Sequence, residues 1–108
     1  MSGKPQKSRL DILADALAKD PENTFARYGI AMEYVRLERL DEGARAFADL
    51  VERKPDYVPG WFQGGRTLER LKRVEDARRF YERGIAAAVK VGNQHAREEL
   101  EAALSMLG

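Results

Sequence analysis

The chain has 108 residues, with 19 Lys and Arg set against 18 Asp and Glu, a formal charge of +1, and no cysteine. That length fits one domain with a modest core; the balanced charge excludes the strong basic field of a non-specific nucleic-acid binder, and the missing cysteines exclude disulfides, thiolate metal sites and thiol nucleophiles. With 44% hydrophobic and 34% charged residues, the composition is too apolar for a disordered chain and too polar for a membrane-spanning one.

The opening MSGKPQKSR has no apolar stretch behind its charges. Residues 1–8 are therefore expected to be a disordered, solvated tail and not a secretory signal, which points to the cytoplasm. Beyond it, Ala, Leu, Arg and Glu dominate and apolar residues recur at spacings of three and four, so helices are predicted throughout. The first carries Leu10, Leu13, Ala14 and Leu17 and ends at Asp20-Pro21, where proline forbids continuation. A second starts near Asn23-Thr24, both usable N-caps, and presents Ile30, Ala31, Tyr34 and Leu37 to a core. The third, from about Asp41, carries Ala44, Phe47, Leu50 and Val51 and stops before Lys54-Pro55. The fourth opens at Val58-Pro59, with proline in its first turn, and holds Trp61, Gly65, Leu68 and Leu71. A fifth runs from about Glu75 through Ala77, Tyr81 and Ile85 to Val89; Gly92 is a left-handed stop and Asn93 the next cap. The sixth places Ala96, Leu100, Ala103, Leu104 and Leu107 on one face and Gln94, Arg97, Glu98 and Glu101 opposite. Six short helices with tight connections predict an all-α antiparallel stack.

The chain also repeats itself. Tyr34 and Leu68, Phe47 and Tyr81, and Val51 and Ile85 are each separated by 34 residues, and RLERLDEGARAF from Arg36 lies over RLKRVEDARRFY from Arg70 at the same offset. Within that window Arg36/Arg70, Leu37/Leu71, Arg39/Arg73 and Arg45/Arg79 are identical, while Leu40/Val74, Asp41/Glu75, Glu42/Asp76 and Gly43/Ala77 keep their character. Apolar, acidic and small positions preserved together at one offset mark a structural repeat.

A helix–turn–helix unit of this length resembles the tetratricopeptide repeat (TPR). The first helix of such a unit carries a bulky, a small and then an aromatic or large apolar residue; Ile30, Ala31 and Tyr34 fill these roles in one copy, and Trp61, Gly65 and Leu68 in the next. The second helix opens on a small residue, continues to an aromatic and closes on proline, as Gly43, Phe47 and Pro55 do, with Ala77 and Tyr81 in the second copy. The match has departures. Arg27 stands where the second copy has Trp61, Gly64 where a large apolar residue is usual, Val89 in place of the closing proline, and Glu38 and Lys72 in place of the glycine between paired helices. The resemblance implies a right-handed solenoid of antiparallel helix pairs over residues 9–107: a half-repeat helix over 9–20, repeats over 24–55 and 58–91, and a capping helix over 93–107.

In such a solenoid the first helix of each pair lines the concave side. The resemblance then places Phe25, Tyr28, Met32, Val35, Phe62, Gln63, Arg66 and Glu69 on that surface. Helical geometry agrees for the second helix, where Phe25, Tyr28, Met32 and Val35 form a second apolar stripe at spacings of 3, 4 and 3, turned away from the core face. This stripe is either a groove for a peptide or helix of a partner protein, or it is covered by the opening helix or by a second copy in a homodimer. Arg66 and Arg70, one turn apart, are able to receive a carboxylate, or they are solvated and paired with Glu69 or neighbouring acids. The Lys/Asn clamp that some TPR domains use for a peptide's C-terminal carboxylate is absent, since Tyr28, Met32 and Gln63 occupy its positions. Gly64 has no packing reason in the repeat pattern, and the readings left open are tolerated weakness, or room for the Trp61 indole or for a ligand backbone.

No catalytic constellation emerges. His95 is the sole histidine and sits among polar residues, which leaves no zinc set and no Ser/His/Asp arrangement. GWFQGG lacks the preceding strand and the lysine of a phosphate loop. The expectation is a non-enzymatic adaptor or scaffold with a protein partner, no cofactor or metal, and no nucleic acid or membrane. An RNA-binding role like that of the related pentatricopeptide family is disfavoured by the near-neutral charge.

Overall fold

The computed structural model describes residues 7–107; residues 1–6 of the expected tail, and Gly108, lie outside the described residues. Among the described residues the elements are α1 (Arg9–Lys19), α2 (Thr24–Arg36), α3 (Leu40–Arg53), α4 (Val58–Arg70), α5 (Val74–Val91) and α6 (Gln94–Ser105). Ser8, in the stretch assigned to the tail, caps α1: its hydroxyl accepts from the Asp11 amide and the Asp11 carboxylate accepts from the Ser8 amide. Asn23 and Asn93 cap α2 and α6 through their side-chain oxygens, each at 3.0 Å. Asp41 and Glu42 in α3, and Glu75 and Asp76 in α5, occupy first turns, where the helix dipole favours them.

The paired helices are joined by turns with one geometry. Glu38 and Lys72 have φ of 61° and 63°, and the next amides, Arg39 and Arg73, donate back five residues to Tyr34 and Leu68 at 2.8 and 2.9 Å. This is the Schellman closure, in which a left-handed residue ends one helix and lets the chain reverse. The same closure ends α5 at Gly92, with φ 74° and Asn93 donating to Ala88. The turn geometry is therefore kept where the usual glycine is missing, at a steric cost borne by Glu38 and Lys72.

Each helix packs on its neighbours in sequence, and the chain forms a right-handed helical solenoid of antiparallel pairs, 55 × 28 × 20 Å. Phe47 and Tyr81 occupy equivalent surroundings and both are fully buried. Phe47 clusters with Ala31 and Leu50, while a Cβ built on Gly65 would collide with the Tyr81 ring. The expected small-against-aromatic contact thus forms in both copies. Gly64 does have a packing reason, contrary to the repeat pattern: an added Cβ would lie 2.5 Å from Phe80, whose ring stands edge-on to Trp61 at 5.1 Å. The first copy has the sizes reversed, with Ile30 and Ala46 at the positions of Gly64 and Phe80. Arg27 also repeats the role of Trp61. Its guanidinium donates to the Pro21 carbonyl at 3.0 and 3.2 Å, as the Trp61 indole donates to that of Pro55 at 2.8 Å.

Two substitutions follow with opposite signs. Gly65→Ala overpacks the Tyr81 contact and is expected to destabilise by about 1–3 kcal/mol. Lys72→Gly relieves the left-handed strain and is expected to stabilise by about 1 kcal/mol. Urea unfolding followed by Trp61 emission reads both, since Trp61 is buried against Phe80 and Gly84.

Candidate functional site

Helices α2, α4 and α6 are the first-type helices of the stack, and the residues expected to face a partner lie on the first two. On α2, Phe25 is 72% exposed and Met32 is half-buried. Tyr28 is half-buried, with its ring edge-on to Phe47 at 6.1 Å and to Tyr57 at 5.5 Å. Phe25, Tyr28, Gly29, Met32, Glu33 and Arg36 line a slot of ≈ 400 Å³, with Arg9 of α1 on its rim. Leu13 of α1 packs onto Gly29, with its methyls 3.1 Å from where a Cβ would sit. The opening helix therefore covers one flank of α2 and leaves Phe25 open. Val35 turns inward onto Gly43 and the Ala31–Phe47–Leu50 cluster and does not line the slot.

Glu33, at the slot, is a buried carboxylate that the sequence reading did not single out. Its Oε1 accepts from Arg36 Nε at 2.9 Å and lies 3.7 Å from Arg9 Nε. The hydrogen-bonded Arg36 guanidinium holds Glu33 below the usual carboxylate range. A signal existed in the spacing of Glu33 and Arg36, three residues apart on one helix; the structure buries the repeat-equivalent Thr67 as well.

On α4, Phe62 is half-buried, tilted at 45° against Tyr81 with centroids 6.4 Å apart, and the Arg66 guanidinium lies 5.7 Å above its ring. Neither Arg66 nor Arg70 pairs with Glu69, but Arg70 does pair with another acid. Glu69 accepts a hydrogen bond from the Tyr81 hydroxyl, and Arg70 reaches Glu38 at 2.6 Å. Arg66 consequently has no carboxylate within ion-pair distance among the described residues. Phe62 and Gln63 line a second hollow of ≈ 210 Å³ with Val58 and Pro59, closed from α6 by Asn93, His95, Ala96, Glu99 and Leu100. The share of α6 in this surface was not read from the sequence, which treated that helix as an end cap. A wider depression beside Trp61, between α3 and α5, is bridged by the Lys90–Asp56 ion pair at 3.2 Å. Among the described residues no group of three or more His, Cys, Asp or Glu side chains is placed to hold a metal, and no helix is long and apolar enough to cross a membrane.

Three of the tyrosines here titrate above the ordinary phenol range. Burial raises Tyr28 and Tyr57; burial first, and then the hydrogen bond to Glu69, raise Tyr81 further. A folded-state pKa above the unfolded one means that folding favours the neutral phenol, so the stabilisation is complete below about pH 10 and is lost as the pH climbs through it. The unfolding midpoint is therefore expected to fall progressively as the pH is raised above about 10, and Tyr81→Phe to remove the largest part of that fall. Equal pH dependence in the two proteins would contradict the Tyr81 assignment.

Paired helices stacked on a 34-residue period, locked by small residues against aromatics, define a helical-repeat protein. The solution NMR structure of a tetratricopeptide repeat domain protein from Salinibacter ruber matches this chain with a TM-score of 0.77 at 36% identity, over 82% of this chain and 89% of that one. A crystal structure of a tetratricopeptide repeat domain protein from the same organism matches with a TM-score of 0.74 at 35% identity, over 80% and 96%. The solution structure of protein BPP2914 from Bordetella parapertussis gives a TM-score of 0.79 at 26% identity, over 94% and 89%. The TPR repeat-containing protein PA0015 of Pseudomonas aeruginosa is 28% identical over 95 residues, 88% of this chain and 90% of that protein. No family model matches the chain. The identity and coverage of the Salinibacter relative place this chain in the tetratricopeptide repeat family.

Proposed function

We propose that this protein is a non-enzymatic interaction module that binds a peptide or helix of a partner protein along the face formed by α2, α4 and α6, in an adaptor or scaffold role. Membership of a repeat family built for protein interaction supports the general reading. The single observation that carries the specific one is Phe25, a large aromatic 72% exposed beside the half-buried Tyr28 and Met32. Phe62 and the hollow shared with α6 extend the apolar surface onto the next repeat. Aromatic anchors seated in pockets and rimmed by charge are what peptide recognition uses. The units carrying the surface are the half-repeat 9–20, the repeats 24–55 and 58–91, and the cap 93–107.

The best test truncates Phe25 and Phe62 together. Tyr28 is a poorer choice, because its ring also packs against the core residue Phe47. Partner recovery on Phe25→Ala/Phe62→Ala beads is expected to fall about ten-fold or more against wild type, with the Trp61-monitored unfolding midpoint of Phe25→Ala alone within about 0.5 kcal/mol of wild type. Unchanged recovery by the double variant would defeat the groove. Sedimentation across a concentration series separates the other reading, because a dimer abolished by the same substitutions means that a second copy occupies the face.

A further inference from the structure

Of the arginines at or near the face described above, Arg9 and Arg36 share one carboxylate, Glu33, and Arg70 pairs with Glu38. Arg66 is the exception. The carboxylate one turn along the same helix, Glu69, is committed to the Tyr81 hydroxyl, and the Arg66 guanidinium lies over the Phe62 ring. A guanidinium placed over an aromatic ring and without an ion-pair partner has N–H donors left for a planar acceptor. The apolar hollow next to Phe62 supplies the second element, a place for a hydrophobic side chain adjacent to that cation.

Resting on the groove reading, we propose that the bound segment carries a carboxylate side chain next to a large apolar one, with the carboxylate received by Arg66 and the apolar side chain seated against Phe62 in the α4–α6 hollow. The charge around Arg66 selects a monoanion over a phosphate. Glu69 lies one turn away and Glu99 lines the hollow beside Phe62, so a dianion would meet two negative groups with one positive group to offset them. Arg66 itself is exposed, so its replacement leaves the core alone.

The test is selection of peptides from a displayed random twelve-residue library, with the wild-type chain, Arg66→Gln, Arg66→Glu and Phe25→Ala/Phe62→Ala as separate baits. The wild type is expected to enrich peptides with Asp or Glu at a fixed spacing from a large apolar residue. Those peptides, made synthetically, should bind Arg66→Gln about ten-fold more weakly, and Arg66→Glu should enrich Lys or Arg at the same position. Peptides that are lost on the Phe25/Phe62 truncation yet bind both Arg66 variants as they bind wild type would overturn the carboxylate assignment and leave the groove standing. Peptides indifferent to all three variants, or no enrichment on any bait, would overturn the groove and the carboxylate assignment together.

Discussion

The structure depends on one contact made twice: a small residue on the first helix of a pair facing an aromatic on the second. Ala31 faces Phe47 and Gly65 faces Tyr81, 34 residues on, and both rings are wholly buried. Helices approach this closely only where one side supplies almost no side chain. The contact sets the distance within a pair, and the left-handed residues at Glu38 and Lys72 set the reversal between its helices. With both fixed, the outward side of α2 and α4 is fixed as well, and Phe25, Met32, Phe62 and Arg66 fall on it by helical geometry.

Departures from the repeat are resolved by exchange between positions. Where Gly64 removes bulk from α4, Phe80 supplies it from α5, and the first copy holds the reverse in Ile30 and Ala46. Where Arg27 replaces the indole of Trp61, its guanidinium makes the same bond to the carbonyl of the preceding proline. Arg27 also forms an ion pair with Asp49 at 2.7 Å, so the first copy answers with charge where the second uses an edge-on aromatic contact with Phe80. The volume and hydrogen bonding of each unit are kept while the residues that supply them change.

This explains what was legible in the sequence. Helix starts at Asn23 and Asn93, the stop at Gly92 and the buried pair Phe47 and Tyr81 were readable because each rests on local chemistry or on a position kept by the period. The purpose of Gly64 was not, because its partner Phe80 differs from Ala46 in the other copy and a residue-by-residue alignment cannot see compensation across a contact. The pairing of Glu69 was missed for a related reason. Its neighbours along α4 are Arg66 and Arg70, but the hydroxyl that reaches it comes from Tyr81 on the next helix. Val35 shared the spacing of an exposed stripe yet turned inward onto Gly43, since a stripe on a helix wheel does not say where the neighbouring helix stands. The role of α6 in lining the second hollow likewise depends on packing between units and has no signature in one helix alone.

In the proposed function, locking one side of each first helix leaves its other side to a partner. A photo-crosslinking amino acid installed at position 62, and in a second protein at position 45 on the exposed surface of α3, tests this most directly in the cell that makes the protein. The claim predicts a discrete crosslinked species from position 62 and none from position 45. The same species from both positions, or from position 45 alone, would contradict it.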